Sequence, residues 1–128
     1  MRLLTWAEFD EAVYCLASAL KGRAFSGVYG FPRGGLPLAV ALSHHLGLPL
    51  LTDMENDCLV VDDIYETGRT LTTARGLEGC EYAVWISKAA PTWWRAVEVV
   101  KTPDWIVFPW ENPAQSTTEE EAYRASRE

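Results

Sequence analysis

Two adjacent carboxylates, followed at a short distance by a glycine and hydroxyls, form the most informative segment of the chain. Asp62 and Asp63 follow the apolar run 58–61, and residues 66–70 are Glu-Thr-Gly-Arg-Thr. Glycine lets backbone amides approach a phosphate closely, and hydroxyls and the start of a helix favour an anion. The segment predicts a sugar-phosphate site, with the phosphate in the loop 66–70 and hydroxyls or a metal near the two aspartates.

An ordinary structural explanation exists for each half of this segment. Paired aspartates can cap the next element, and Thr-Gly can form a simple turn. The complete order is more specific: an apolar strand, paired acids, a three-residue gap, Thr-Gly-x-Thr and a helix. That order favours the sugar-phosphate site over a simple turn.

A second loop of similar chemistry lies earlier in the chain, at residues 31–36. Gly34 and Gly35 permit unusual backbone angles and can turn their N–H groups toward an anion, and Arg33 can add a charge-assisted contact. Alone, Arg-Gly-Gly is more often a flexible turn. Two phosphate-type loops in this order on one chain strengthen each other.

Strands alternating with helices must position both loops. The spacing predicts strands at 27–31, 48–52, 58–63, 82–87 and 105–108, and helices at 5–21, 36–46 and 68–77. This alternation is typical of an α/β fold with a mostly parallel sheet flanked by helices, which binds ligands outside the carboxyl ends of its strands. We expect a single domain over residues 1–128, with a core at about 24–111 and an acidic tail at 112–128. The tail is expected either to form a terminal helix after Ser116 or to fray.

The composition limits the classes of partner. The net charge of −7 argues against nucleic-acid binding, which needs lysines and arginines to neutralise phosphates. No apolar stretch reaches the length of a membrane span, and Glu8 comes too early for a signal peptide, so a soluble cytoplasmic protein is expected. Cys15, Cys58 and Cys80 lack metal-ligand spacing and are expected to be small buried hydrophobic residues.

The segment from Val60 to Thr70 resembles the signature of the type I phosphoribosyltransferases. The resemblance implies transfer of ribose 5-phosphate from phosphoribosyl pyrophosphate to a base, with Asp62 and Asp63 holding the ribose hydroxyls directly or through Mg²⁺. It implies that the loop Glu66, Thr67, Gly68, Arg69 and Thr70 cradles the 5′-phosphate. It also implies a general base at Glu66, where purine members usually have aspartate and glutamate places the carboxylate one methylene farther away.

The same resemblance gives the earlier loop a role. In the family, Arg-Gly-Gly after the first core strand binds the leaving pyrophosphate, which implies that role for Arg33, Gly34 and Gly35. Family members often have a cis peptide just before the arginine, which here is the Pro32–Arg33 bond. Arg33 is then implied to stabilise the departing pyrophosphate.

The segment 105–111 looks like the closing segment of the xanthine–guanine and hypoxanthine members. The resemblance implies that Trp105 stacks on a purine, that the backbone of Ile106 reads the base edge, and that Lys88 contacts the purine O6 atom. Without the two loops, core packing and a solvated lysine would be the preferred explanations. The implied partners are phosphoribosyl pyrophosphate and a purine base or nucleotide, in a homodimer or higher homo-oligomer that acts in nucleotide salvage. The pair Trp93-Trp94 is a candidate apolar surface between subunits.

One feature departs from the family pattern. Members normally insert a long flexible loop before the paired-acid strand, and it closes over the substrate. Here only residues 53–57 fill the gap. Three explanations remain open: a neighbouring subunit covers the site, catalysis is slow and leaky, or binding persists without transfer. The last makes the chain a sensor of a nucleotide or of phosphoribosyl pyrophosphate. Transfer to a pyrimidine is a further alternative.

Overall fold

The computed structural model describes the backbone of residues 1–127 and the side chains of residues 1–125. Its elements in chain order are β1 Arg2–Leu3, α1 Trp6–Leu20, β2 Val28–Gly30, α2 Leu36–Leu46, β3 Leu59–Tyr65, α3 Arg69–Thr72, β4 Glu81–Ser87, β5 Arg95–Val99, β6 Ile106–Val107 and α4 Pro113–Arg127. They fall into two compact units, Ala12–Lys101 and the remainder of the chain, which are described separately.

A four-stranded parallel sheet in the order β2-β3-β4-β5 forms the centre of the larger unit. The apolar residues of β4 and of the first part of β3 are buried, as expected for a parallel sheet covered on both faces. Helix α2 packs against β2 and β3. The predicted α/β class with a mostly parallel sheet flanked by helices is confirmed.

The start of α1 and the end of α2 agree with the prediction, because signals in the neighbouring residues set both. Thr5 and Glu8 form a reciprocal capping box: the Glu8 amide donates to Thr5 Oγ1 (3.1 Å) and the Thr5 amide donates to Glu8 Oε1 (3.0 Å). Helix α2 has the predicted bounds and ends at Gly47, whose φ of 66° is left-handed. These ends depend on neighbouring residues alone.

Three predicted elements differ from the structure. The strand expected at 48–52 is a single bridge between Val28 and Leu50. The strand expected to end at Asp62 and Asp63 continues to Tyr65, because β4 pairs with it along that length. The helix expected to reach residue 77 ends as an α-helix at Thr72 and continues as tight turns with i→i−3 hydrogen bonds.

Two strands were not predicted. One is β5, which lies at the edge of the four-stranded sheet and pairs with β4 alone. The other is the two-residue β1, which pairs in parallel with β6 in the smaller unit.

The smaller unit also contains the tail. Helix α4 begins at Pro113, earlier than expected, because Asn112 Oδ1 accepts from the Ala114 amide (3.0 Å) and caps the first turn. Trp105 Nε1 donates to Ser116 Oγ (2.8 Å) and joins the helix to the segment before β6. The domain limits expected from the sequence, a core at about 24–111 and a tail at 112–128, stay predictions. Among the described residues, no helix is both long and apolar enough to cross a membrane.

Candidate active site

The loops predicted from the sequence lie at one edge of the four-stranded sheet. Since its strands are parallel, the segments after β2, β3 and β4 all leave at the carboxyl edge. The backbone there is tied across strands: the Phe31 amide donates to Val61 O (3.1 Å), and the Lys88 amide donates to Tyr65 O (2.7 Å). The loop 31–36, the phosphate-type turn 66–70 and Lys88 therefore lie at the same edge of the sheet.

The paired acids lie inside β3 and not in the loop after it. Asp62 Oδ1 accepts from the Asp63 amide (2.9 Å), and Asp63 Oδ1 accepts from the Ile64 amide (2.9 Å). Burial raises the pKa of Asp62 above its usual value. Burial, together with the charge of Asp62, raises the pKa of Asp63 well above its usual value. Burial thus disfavours the ionised forms of both carboxyls, and a cation or hydroxyl donors bound beside them would favour those forms.

The Arg-Gly-Gly loop packs directly onto these acids. A Cβ built on Gly34 would overlap the carboxylate of Asp63, so glycine is required for the close approach. A Cβ on Gly35 would lie only 2.8 Å from the Phe31 backbone and 2.9 Å from Val61 O. The loop backbone at Gly35 therefore packs directly against the sheet. The Pro32–Arg33 peptide is cis, as the resemblance implies. Arg33 is exposed to solvent at the same edge.

The turn after β3 has the shape expected of a glycine-dependent loop. Gly68 has a φ of 78°, and α3 begins at the next residue. The Arg69 amide donates to Thr67 Oγ1 (3.3 Å) inside the turn. Thr67, Arg69 and Thr70 are exposed, whereas Glu66 is half-buried. Helix α3 has only four residues, so its dipole contributes less to anion binding than the longer predicted helix would.

The short link at residues 53–57 lies at the opposite, amino edge of the sheet. The chain passes Leu50 at the first residue of β2 and then enters this link. The Asp57 amide donates to Glu78 O (2.8 Å), and the Ser26 amide donates to Asp57 O (2.9 Å). These hydrogen bonds therefore hold the link at the amino edge of the sheet. It is truncated, as the sequence predicts, and it lies on the wrong side to cover the carboxyl edge.

The residues implied in purine recognition are divided between the two units. Lys88 is half-buried directly after β4. Trp105 and Ile106 lie in the smaller unit, where Trp105 is half-buried near Tyr123 and Ile106 is buried in β6. Binding roles for all three stay predictions.

Two expectations about apolar residues are wrong. Trp94 does not form a contact surface, because it is only 8% exposed and its ring stacks on Tyr65. Cys15 is exposed on α1, whereas Cys58 is buried. The aromatic partner of the site turn, Tyr65, was missed by sequence reasoning. Its one signal was an aromatic residue directly before Glu66, which local spacing cannot connect to a distant tryptophan.

The donor chemistry of the carboxyl edge suits Mg²⁺. No three His, Cys, Asp or Glu side chains in the described part of the chain converge as a complete metal site. Mg²⁺ is commonly held by one or two carboxylates, with substrate phosphates and water completing its shell. Asp62 and Asp63, with their raised pKa values, supply that partial set.

Comparison with solved structures shows extensive similarity. A purine phosphoribosyltransferase from Pyrococcus horikoshii Ot3 is 30% identical over 87% of this chain and 94% of that chain, with a TM-score of 0.74. A xanthine-guanine-hypoxanthine phosphoribosyltransferase from Helicobacter pylori is 19% identical over 92% of this chain and 98% of that one, with a TM-score of 0.66. A hypothetical protein from Neisseria gonorrhoeae with bound ppGpp is 16% identical over 94% and 97% of the two chains, with a TM-score of 0.67. No protein-family model matches the sequence.

Proposed function

The chain belongs to the type I phosphoribosyltransferases, glycosyltransferase-type enzymes, and is most like their purine members; we propose that it transfers ribose 5-phosphate from phosphoribosyl pyrophosphate to a purine base. One observation carries the proposal: Gly34 packs on the carboxylate of Asp63. A ligand with a pyrophosphate and adjacent ribose hydroxyls needs an anion loop and paired acids in contact with each other.

The parts of the substrate are assigned by their chemistry. Asp62 and Asp63 take the ribose hydroxyls, Arg33 with Gly34 and Gly35 takes the pyrophosphate, and residues 66–70 take the 5′-phosphate. Mg²⁺, when bound beside the paired acids, neutralises charge that develops on the pyrophosphate. Fixing both ends of the substrate orients the anomeric carbon between them.

The reaction is a displacement at that carbon. A purine ring nitrogen forms the new bond to the anomeric carbon while the bond to the pyrophosphate oxygen breaks, and the departing electron pair stays on pyrophosphate. Arg33 stabilises this growing negative charge. The purine proton goes to the carboxylate of Glu66. Lys88 is assigned to the purine O6 atom, and Trp105 and Ile106 keep the base-recognition roles that the resemblance implies.

In the part of the chain that the structure describes, the proposed reaction lacks a segment that excludes water from the bound substrate. The link 53–57 is held at the amino edge by backbone hydrogen bonds, so it cannot close over the ribose. We expect hydrolysis of phosphoribosyl pyrophosphate to accompany transfer unless a second subunit covers the site.

A homo-oligomer is part of the proposal. Helix α2 carries no charged residue, and it exposes Leu36 and Val40 to solvent. Two copies of a chain with a net charge of −7 repel least across such a face. Light scattering should report a dimer or larger species, and Val40→Glu should shift it toward the monomer. A monomeric parent chain at micromolar concentration would reject this interface.

The second candidate function is a sensor that binds a nucleotide without transfer. The position of the link 53–57 favours it, and so does the likeness to the Neisseria gonorrhoeae protein with bound ppGpp. A sensor of a mononucleotide needs the 5′-phosphate turn but has no use for a pyrophosphate loop in contact with Asp63, whereas a sensor of phosphoribosyl pyrophosphate would use both. The contact therefore favours the transferase over a mononucleotide sensor, and turnover separates the transferase from a sensor of phosphoribosyl pyrophosphate.

Incubation with Mg²⁺, phosphoribosyl pyrophosphate and one base at a time tests the proposal, with nucleotide and pyrophosphate both measured. Guanine, xanthine and hypoxanthine should yield nucleotide, and orotate should not. Replacing Asp62 and Asp63 together by asparagine should abolish the product, while Asp53→Asn on the link should not change the rate. Tight binding of ppGpp without turnover would establish the sensor, and turnover with orotate alone would establish a pyrimidine enzyme.

A further inference from the structure

An aromatic stack lies directly beneath the phosphate-type turn. The ring of Tyr65, the last residue of β3, lies parallel to the ring of Trp94, with centroids 3.8 Å apart and 12° between the planes. Trp93 meets both rings edge to face, at 6.2 Å from Tyr65 and 5.1 Å from Trp94. The pair Trp93-Trp94, which the transfer chemistry does not use, therefore packs against the residue that precedes Glu66.

Trp94 is fixed from its far side. Its Nε1 donates to Ser87 Oγ (3.1 Å), and that hydroxyl donates in turn to Ala89 O (2.6 Å). Ser87 is fully buried at the end of β4, so the indole cannot rotate without breaking a buried hydrogen bond. The stack has one rigid partner, and the position of the Tyr65 ring follows from it.

Tyr65 reaches the turn through Gly68. A Cβ built on Gly68 would overlap the Tyr65 hydroxyl and lie 2.8 Å from a ring carbon, so the tyrosine fills the space beside this left-handed residue. The Thr72 amide closes the next turn onto Gly68 O (2.9 Å). The side chain of Tyr65 thus supports the one residue whose backbone angles define the loop.

We propose that Tyr65 and Trp94 are positioning residues for the 5′-phosphate, because their stack holds the turn 66–70 in its phosphate-receiving shape. The inference rests on the proposed function, since it assigns the 5′-phosphate to that turn. The Tyr65 backbone carbonyl also accepts from the Lys88 amide (2.7 Å), so one residue links the phosphate turn to the start of the segment after β4.

Removal of either ring tests the inference. Tyr65→Leu and Trp94→Leu abolish the stack, whereas Tyr65→Phe keeps it and removes only the hydroxyl. Phe25→Leu is the matched control, because Phe25 is buried to the same extent as Trp94 (8% exposed each) but lies before β2, at the amino edge of the sheet. Calorimetric titration with ribose 5-phosphate and, separately, with pyrophosphate distinguishes the two anion sites.

Loss of the stack should weaken ribose 5-phosphate binding about three- to tenfold, the range expected for one aromatic pair. Pyrophosphate affinity should stay within about twofold. Amide hydrogen exchange at Gly68, Arg69 and Thr70 should become faster in the ligand-free variants. Tyr65→Phe should restore the parent values, and Phe25→Leu should lower the melting temperature without changing ribose 5-phosphate affinity.

Each other outcome overturns the inference in a distinguishable way. Equal weakening of both ligands by Trp94→Leu and Phe25→Leu would make the stack merely structural. A large loss in Tyr65→Phe would make the hydroxyl a direct phosphate ligand instead of a support. If the parent chain binds pyrophosphate but not ribose 5-phosphate, the turn is not the 5′-phosphate site. If it binds neither, nor phosphoribosyl pyrophosphate, the proposed function fails as well. Amide exchange, which needs no ligand, then shows whether the stack supports the turn at all.

Discussion

The two edges of the four-stranded sheet are built from the same strands and differ in what they hold. At the carboxyl edge, the buried Asp62 and the half-buried Asp63 have raised pKa values, and Gly34 of the glycine loop packs against Asp63. At the amino edge, backbone hydrogen bonds and the surface ion pair between Arg23 and Glu81 (2.8 Å) join the connecting segments. The amino edge is closed by contacts within the chain, whereas the carboxyl edge carries two acids whose ionised forms are disfavoured by burial.

The comparison separates what stabilises this fold from what equips it for binding. Asp62 and Asp63 destabilise the ligand-free chain when they ionise, and functional sites commonly carry such a cost. The link at the amino edge is joined to neighbouring segments by backbone hydrogen bonds and does not cover the carboxyl edge. Substitutions at the two edges should therefore change different measurements.

The largest effect is expected at Asp63. Asp63→Asn should lower kcat/KM by about a hundred- to a thousandfold, because it removes a charge aimed at the reacting substrate. The same change should raise the free energy of unfolding of the ligand-free protein by about 0.5–2 kcal/mol, because it removes a disfavoured buried charge. Steady-state kinetics and urea unfolding measure the two effects. A variant that is less stable as well as inactive would contradict this account of the carboxyl edge.

A matched pair of glycines gives the next largest effect. Gly34→Ala places a methyl group against the Asp63 carboxylate, whereas Gly76→Ala meets no atom within 4 Å. Displacing the loop from the acids should lower kcat/KM by about a hundredfold, and Gly76→Ala should leave it unchanged. Pyrophosphate titration should show weakened binding for the first variant only. Equal kcat/KM values in the two variants would show that transfer does not depend on the contact between Gly34 and Asp63.

The pH dependence of stability sharpens the same comparison. The folded protein binds protons at Asp62 and Asp63 more tightly than the unfolded chain does, because the folded-state pKa values are raised. The resulting gain in the free energy of unfolding is fully present only below the usual aspartate pKa of 3.8. This gain is lost as the pH rises through the raised pKa values. The stability advantage of the double asparagine variant should therefore be small near pH ~4 and grow toward pH ~7. A constant difference across a series of urea unfolding curves would mean that these carboxyls titrate normally.

At the amino edge the expected effects are smaller and concern stability alone. Asn56 Oδ1 accepts from the Glu78 amide (3.0 Å), and Asn56→Ala removes that bond. The free energy of unfolding should fall by about 0.5–1.5 kcal/mol, with kcat/KM unchanged. Thermal unfolding and the transfer assay give the two values. A tenfold loss of activity would show that the edges are coupled.

Thiol labelling should give the smallest effect, with no change in activity. Cys15 is exposed on α1, whereas burial raises the pKa of the Cys58 thiol to about 11 and keeps it protonated at neutral pH. Iodoacetamide should modify Cys15 in the folded protein and reach Cys58 only after denaturation. Mass spectrometry of the labelled peptides decides this, and fast labelling of Cys58 would indicate that the amino edge opens.

Much of the fold followed from local patterns. The capping box at Thr5 and Glu8 and the left-handed Gly47 set helix ends that depend on neighbouring residues. Elements whose hydrogen bonds come from elsewhere were less predictable. Strand β5 exists because β4 offers a free edge, and its own residues are mostly half-exposed. The expected strand at 48–52 is one bridge because the chain must return at once to the amino edge.

The same distinction applies to the candidate site. The sequence by itself determined the order of the apolar strand, the paired acids and the Thr-Gly turn, and it determined the Arg-Gly-Gly loop, because these signals are local in the chain. Tertiary structure decided that Gly34 lies on the Asp63 carboxylate, that the link 53–57 lies at the far edge, and that Trp94 supports Tyr65. Those three facts depend on strand order and register, which bring distant residues together and which no local spacing specifies.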